Sequence, residues 1–471
     1  MVMQHRTIHK ICYLCKIYAA LSLNKIQMAH LSIQNIGPVK AIDIELNRVN
    51  VFMGPQSSGK STIAKIISFC QWLEKDCLTR QSIGHIDENF TQERFVEYHN
   101  VSDYLNETSL FTYAGQALKI MYADSQLIVN RAADFKNAAI SKNAYIPSER
   151  NVISIPGIFS TKMPENYLAS FLDDWQNIRA KYRKNDKVSV LDLGESYYFD
   201  ENSDTDMLMI NNGHPLHLSQ ASSGLQSVVP LCVYISYLTD WIYCHEENRS
   251  SDARKRIRKA ALVKALAIKN PILENSLDFV KMPGTKEPDP KLSERFDKFN
   301  ETFNRAYDHG LHNFDEEFAE FSKQVFDMEK IMGHPKFSNI IIEEPEQNIF
   351  PLTQTSLVHA ILAMINHDRD NLVITTHSPF ILYALNNCML AGKVGNEIPT
   401  ELLEHISVPH EAWIDPHKVS VWELREGHIQ PVDGQLNATI QDADGLIRGN
   451  YFDRVMKNVM ADFNGLVNFL G

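Results

Sequence analysis

Two runs of residues in this sequence have the types and the spacing that phosphate chemistry needs. The first is Gly54-Pro55-Gln56-Ser57-Ser58-Gly59-Lys60-Ser61-Thr62, called the phosphate loop below. Glycines at this spacing let backbone N–H groups turn onto phosphate oxygens, and the lysine neutralises the β- and γ-phosphates. The Ser61 hydroxyl then suits a Mg2+ ion. We therefore predict that a nucleotide contacts Gly54, Gln56, Ser57, Ser58, Gly59, Lys60, Ser61 and Thr62.

The second run is Ile340-Ile341-Ile342-Glu343-Glu344, in which a strand pattern ends in two carboxylates, called the acidic pair below. A buried strand can deliver the first carboxylate to a metal ion, and the next carboxylate can activate a water molecule. We assign Glu343, with Ser61, to Mg2+ and Glu344 to the general base. A solvated acidic turn is the alternative, but such a turn does not normally follow a buried apolar strand.

Two weaker signals follow the same logic. His377 ends the apolar run Leu372–Thr376, where it can reach a γ-phosphate or the attacking water, although a lone histidine is more often structural. The signature-like run Leu218–Ser227 opens an apolar helix, and its N-terminus suits an anion. An ordinary helix cap would use the same letters. The candidate contacts in this run are Ser222, Ser223, Gly224 and Gln226.

The sequence patterns around these residues predict the strands and helices that must position them. Alternating runs at Leu31–Ile36, Ile42–Leu46 and Val49–Phe52 predict strands that lead into the phosphate loop, and an apolar helical face starts at Ile63. Later strands at Asn339–Ile342 and Leu372–Thr376 are separated by helical segments. Strands that alternate with helices favour a partly parallel α/β sheet.

Composition excludes several classes of protein. The chain has 471 residues, 44% of them hydrophobic and 22% charged, so it can bury a large core and is neither disordered nor collagen-like. Seven irregularly spaced cysteines fit reduced thiols in a cytoplasmic protein better than a disulfide framework. No stretch approaches the ~20 apolar residues of a membrane span. The net charge of −12 argues against coating nucleic acid, but leaves a local contact open at the basic segment Arg254–Lys269.

Taken together and in this order, the four motifs resemble the ABC-type ATPase heads of the RecF, SMC and OLD group. More specifically, they resemble stand-alone bacterial "AAA family" ATPases of defence systems. The resemblance covers about half of the chain. It implies ATP and Mg2+ as cofactors and a homodimer or higher oligomer in which Ser223 crosses to the nucleotide that the partner's head holds. It also implies that Glu149 or Arg150 replaces the family's glutamine loop.

Two departures from the family pattern are visible. Leu225 stands where the signature usually has a second glycine, and Glu343 stands where an aspartate usually binds the metal. OLD-type nucleases carry a Toprim domain after the head, but only a short tail follows His377 here. In that tail Asp442-Ala-Asp444 imitates half of the nuclease motif without a sheet of the required size. The resemblance therefore implies that any effector chemistry lies on another chain.

The predicted fold class is α/β, a P-loop NTPase head of the ABC type with a mixed sheet, flanking helices and helical insertions. Met28 precedes the first strand pattern, which predicts a dispensable leader before it. The predicted organisation is a leader over 1–27, parts of the head over 28–71, 141–239 and 336–471, and helical insertions over 72–140 and 240–335.

The predicted function is that of a cytoplasmic ATPase acting as a dimeric, nucleotide-gated switch. The resemblance adds a role as sensor or regulator of a separate effector in antiviral defence. A RecF-like repair ATPase that clamps DNA and a non-hydrolysing ATP-gated scaffold are the alternatives. Glu344 argues against the scaffold, because a scaffold needs no general base. No Asn-Lys-x-Asp motif is present, which disfavours a GTPase.

Overall fold

A computed structural model of the protein describes residues 28–245 and 334–469, apart from residues 81, 82, 85, 136, 192, 211, 212 and 404. It also describes the single positions 258, 261, 325, 326 and 329. The predicted leader over 1–27 lies outside these residues, as does nearly all of the predicted insertion over 240–335. The basic segment Arg254–Lys269 is described only at Arg258 and Ala261.

An eleven-stranded mixed sheet forms the centre of the described part, in the order β6-β5-β4-β1-β2-β15-β14-β3-β13-β12-β7. Its strands β14, β3, β13, β12 and β7 are parallel neighbours. The strand bounds, in chain order, are β1 His30–Ile36, β2 Val39–Glu45, β3 Val49–Met53, β4 Leu110–Ala114, β5 Leu118–Ala123, β6 Gln126–Arg131, β7 Ser141–Ile146, β8 Val188–Val190, β9 Glu195–Asp200, β10 Thr205–Met209, β11 Pro215–His217, β12 Phe337–Glu343, β13 Asn371–Thr376, β14 Val419–Arg425 and β15 His428–Ile429.

Burial explains why the parallel strands read as apolar runs. Every residue of β3 and β12 is buried, because helices cover both faces of the sheet there. Along β3, Val51 joins the core on one face and Phe52 the core on the other. The predicted fold class, an α/β P-loop NTPase with a mixed sheet and flanking helices, is thus confirmed.

The segment 72–140, predicted to be a helical insertion, is helical only in its first half. Three antiparallel strands, β4, β5 and β6, lie in its second half and extend the sheet from β1. Their buried and exposed residues alternate only over short runs, so in the sequence these strands are easily mistaken for polar loops. The β5–β6 hairpin turns on Asp124 and Ser125, which both have positive φ, at 51° and 61°.

A second, four-stranded antiparallel sheet follows, in the order β11-β10-β9-β8. It lies between α3 and α4 in the chain. The helices are α1 Lys60–Arg80, α2 Glu88–Thr91, α3 Tyr167–Arg179, α4 Ser223–Ser236, α5 Ile242–Cys244, α6 Pro351–Met364, α7 Pro379–Val394, α8 Thr400–Leu403 and α9 Tyr451–Val467.

Two cores lie on opposite faces of the main sheet. The helix after the phosphate loop, α1, packs Ile63 and Ile67 against one face, where Trp422 stacks on Phe52 with 5.0 Å between ring centroids. Helices α4, α6 and α7 cover the other face. Among the described residues, the stretch Ser223–Cys244 is long and apolar enough to cross a membrane by length and composition, but 72% of its most apolar part is buried inside the protein, as expected of a core helix.

Candidate nucleotide site

The parallel register brings the predicted catalytic residues together. In β3, Met53 is paired with Thr376 of β13, and Thr375 is paired with Glu343 of β12. Because the carboxyl ends of parallel strands meet at one edge of a sheet, the residues that follow each strand become neighbours. Gly54, Glu344 and His377 are those residues.

The phosphate loop has the backbone that its glycines predict. Gly54 has φ of 150° and Gly59 has φ of 103°, and the Ser57 φ of 58° is also positive. A Cβ atom on Gly54 would stand 2.1 Å from the carbonyl oxygen of Leu424, so strand β14 leaves no room for a side chain. Helix α1 begins at Lys60 and aims its N-terminus at the loop, which makes the loop a place for a phosphate.

Lys60 is held inside this loop. Its Nζ donates to the carbonyl oxygens of Gly54 (3.0 Å) and Pro55 (2.8 Å) and to Ser58 Oγ (3.3 Å). Burial lowers the pKa of Lys60 to about 8, against the opposing pull of nearby carboxylates, of which Glu344 is the strongest. The remaining predicted loop residues divide by exposure: Gln56, Ser57 and Ser61 are exposed, whereas Ser58 and Thr62 are buried.

Glu343 ends β12 and is 5% exposed. Burial raises its pKa, and the Ser61 hydroxyl and the Tyr145 phenol, which face its carboxylate, oppose that rise. Its Oε1 is buried without a hydrogen-bond partner. A buried carboxylate oxygen with free lone pairs beside a hydroxyl is the oxygen donor set that Mg2+ prefers, so these residues fit the predicted ion.

The described residues contain no cluster of three or more His, Cys, Asp or Glu side chains that could hold a metal on its own. At nucleotide sites a Mg2+ ion is usually held by one or two protein oxygens together with substrate phosphates.

Glu344 and His377 form a hydrogen-bonded pair. The distance from His377 Nε2 to Glu344 Oε1 is 2.9 Å, and this contact lowers the pKa of Glu344. His377 Nδ1 lies 3.3 Å from Lys60 Nζ and 3.0 Å from the Gly54 carbonyl oxygen. A proton on Nε2 donates to Glu344, whereas Nδ1 faces both a donor, Lys60 Nζ, and an acceptor, the Gly54 carbonyl oxygen. His377 thereby links the loop to the base.

Glu346, which the sequence did not single out, orients His377. Its Oε1 accepts from the His377 backbone N–H (2.5 Å) and from Thr376 Oγ1 (2.9 Å). Burial raises the pKa of this carboxyl. The signal in the sequence was a third glutamate two residues after the acidic pair, but its role depends on a strand that begins 25 residues later.

The structure separates the two candidates for the glutamine loop. Arg150 is fully buried, and its guanidinium is engaged with backbone carbonyls, among them those of Glu343 and Glu344. Glu149 is exposed, accepts from Ser148 Oγ (2.9 Å), and is close enough to Glu343 to raise the pKa of that carboxyl. Glu149 is therefore the residue that stands near the candidate metal position.

The signature-like residues lie at the start of α4. Ser222 caps the helix by accepting from the Leu225 N–H (3.4 Å), and Ser222 and Ser223 are both exposed. The Gln226 amide donates to the Ser219 and Ala221 carbonyl oxygens. A Cβ atom on Gly224 would meet the Asn348 carbonyl oxygen at 3.1 Å, so this turn packs on the loop that follows the acidic pair.

No family model matches this chain, and no curated protein matches it. Among solved structures, an SMC head domain from Thermotoga maritima is 10% identical and covers 76% of this chain and 92% of its own, with a TM-score of 0.33. A structure of the recombination mediator RecF is 10% identical and covers 86% of this chain and 98% of its own, with a TM-score of 0.29. An ATP-binding cassette of an ABC transporter is 11% identical over 86% and 90%, with a TM-score of 0.24. The fold assignment rests on this chain's own strand order and phosphate loop.

Proposed function

We propose that this protein binds ATP with Mg2+ and hydrolyses it, and that nucleotide occupancy switches the association of two heads. The observation that carries the proposal is the contact chain Lys60–His377–Glu344 at adjacent strand ends, with the buried carboxylate of Glu343 beside Ser61. A phosphate-binding lysine, a metal-type carboxylate and an ionised base within one network suit attack of water on a γ-phosphate.

The residues divide the chemistry among them. The phosphate-loop N–H groups and Lys60 would hold the β- and γ-phosphates, and Ser61 and Glu343 would hold Mg2+, which supplies charge neutralisation when bound. Glu344 is ionised because its pKa is lowered, so its carboxylate can accept the proton of the attacking water. His377, held by Glu346 through its backbone N–H, donates to Glu344 and fixes that carboxylate.

Exposed side chains at the start of α4 and beside it support the proposed association of two heads. Ser222 and Ser223 present the N-terminus of α4 to solvent. Close to this turn, Phe350 and Leu352 are 74% and 72% exposed. Neighbouring apolar side chains that remain in water would contribute to such a contact if they belong to a continuous apolar patch. A second head seated here would bring Ser223 to the partner's nucleotide.

Lys60→Ala tests the nucleotide site, with Lys40→Ala on the exposed side of β2 as its control. We expect Lys60→Ala to abolish detectable binding of a fluorescent ATP analogue, because the cation that faces the phosphates is lost, while Lys40→Ala binds as the parent does. Equal binding by both variants would remove the basis for the proposal.

We further propose that this protein regulates a separate effector protein in antiviral defence, and that it does so in the cytoplasm. This finer role rests on the family resemblance alone. The RecF-like alternative predicts that an ATP-trapped dimer binds duplex DNA with a steep dependence on salt. Filter binding at two salt concentrations, with and without ATP, distinguishes them. ATP-dependent, salt-sensitive retention of DNA would favour the repair protein.

A further inference from the structure

One buried side chain joins the acidic pair to the signature-like helix. Arg150 follows β7 and has 0% of its surface exposed. A guanidinium carries five N–H donors in a planar fork. Five backbone carbonyl oxygens receive them: Nε donates to Ser227 (3.0 Å), Nη1 to Pro147 (3.3 Å) and Glu343 (2.9 Å), and Nη2 to Glu344 (2.9 Å) and Pro345 (3.1 Å). Every donor is thus used within the protein.

Two of these carbonyls belong to the residues assigned to the metal and to the base. Glu344 has φ of 42°, a left-handed conformation that is unfavourable for a residue with a Cβ atom. It persists only where surrounding contacts enforce it. Arg150 bonds the Glu344 carbonyl, and the Glu344 N–H donates to the Thr375 carbonyl oxygen (2.9 Å). The Gln347 N–H also donates to the Glu344 carbonyl oxygen (3.1 Å), so the guanidinium is one of several contacts that hold the backbone from which the Glu344 carboxylate projects.

The carbonyl oxygen that accepts from Arg150 Nε belongs to Ser227, in the second turn of α4. Ser227 is 1% exposed, and its Oγ accepts from Asn348 Nδ2 at 3.2 Å. This serine therefore touches both Arg150 and the loop after the acidic pair. A displacement of the exposed start of α4, where Ser223 lies, has a short and rigid route through Ser227 and Arg150 to Glu344.

We propose that Arg150 is a positioning residue that couples the N-terminus of α4 to the backbone of Glu344, so that the state of the signature-like helix and the aim of the general base change together. This inference rests on the proposed ATPase function for its catalytic consequence. Arg150 itself does not touch the nucleotide, because its five donors are already engaged. A lysine cannot replace it, since an ammonium offers three donors from one point.

Hydrogen–deuterium exchange tests the coupling without requiring turnover. ATP is added with Ca2+ in place of Mg2+, and exchange is followed in peptides from the phosphate loop and from α4. In the parent protein we expect ATP to slow exchange in both. In Arg150→Met and Arg150→Lys we expect the loop to keep its response and α4 to lose most of it. Arg150→Lys preserves the charge and most of the volume, so the test survives if the methionine variant does not fold.

Arg179→Met is the matched control. Arg179 is also buried, 8% exposed, and pairs with Asp204 at 2.8 Å and Asp206 at 3.5 Å, away from the acidic pair. We expect it to retain the α4 response. An unchanged α4 response in both Arg150 variants would overturn the coupling. Equal loss in Arg179→Met would also overturn it, because the effect would then belong to any buried arginine.

Steady-state kinetics separate this inference from the proposed function. A misaimed base should lower kcat about 100-fold in Arg150→Lys while KM for ATP changes less than about threefold. A fall in kcat no larger than the loss of folded protein would contradict positioning. If the parent protein shows the exchange coupling but no ATP turnover, the proposed function fails and the coupling stands.

Discussion

Glu344→Gln is the sharpest test of the assigned chemistry, because the substitution keeps the shape of the side chain and removes its ability to accept a proton. The glutamine oxygen can still accept from His377 Nε2, which lies 2.9 Å from Glu344 Oε1, so the local network should survive. What is lost is the general base, a contribution of about 10²–10⁴ in rate, or roughly 3–5 kcal/mol of transition-state stabilisation.

The phosphate loop is not altered by this change, so binding should persist. Lys60 keeps its contacts with Gly54 and Pro55, and one negative charge near the γ-phosphate position disappears. We therefore expect ATP affinity to be equal or tighter, and the ATP-bound dimer to accumulate because it no longer resolves into products.

The assay is single-turnover hydrolysis with excess protein, paired with sedimentation velocity in ATP and Mg2+. Glu107→Gln, which changes an exposed carboxylate outside the site, is the control. A Glu344→Gln rate within tenfold of the parent rate would refute the assignment of the base. A normal loss of rate without a dimer would instead refute the switch.

Three further predictions concern the loop, the proposed dimer and stability. Gly54→Ala should abolish ATP binding in the same fluorescence assay while the protein stays folded by circular dichroism, since its Cβ would stand 2.1 Å from the Leu424 carbonyl oxygen. Ser223→Arg should leave ATP binding intact but prevent the ATP-dependent dimer in sedimentation, because a bulky cation would fill the proposed contact. Burial raises the pKa of Glu74 from 4.5 to about 6, so its ionisation opposes folding, and the stability it lends below pH 4.5 is lost as pH rises through 6. In the parent protein, the free energy of unfolding measured in urea should fall by on the order of 1–2 kcal/mol over this pH range, a figure reduced for solvent screening because the carboxyl lines a cavity. In Glu74→Gln this fall should be absent.

Local patterns were enough to predict the centre of the site. The phosphate loop, Glu344 and His377 each follow a strand directly, and the parallel arrangement then brings them to one edge. Their roles as ATP and Mg2+ contacts remain predictions.

The sequence was less informative where a role depends on distant partners. The resemblance gave Arg150, with Glu149, as a replacement for the glutamine loop, but the guanidinium of Arg150 bonds carbonyls that lie 77 to 195 positions away, besides that of Pro147. Glu346 gained its role only when β13 placed His377 beside it. Strands β4–β6 were missed because each is short and half-exposed, which leaves little hydrophobic contrast to read.

The strand order also determines when the phosphate loop can be completed during translation. The phosphate loop is translated about 370 residues before Leu424 of β14, whose carbonyl oxygen forms one wall of the loop. At roughly 5–20 residues per second, the ribosome needs about 20–70 seconds to supply that strand. Strand β13, the other parallel neighbour of β3, is translated only shortly before β14. A nascent chain should therefore be unable to hold a nucleotide until β14 has left the ribosome.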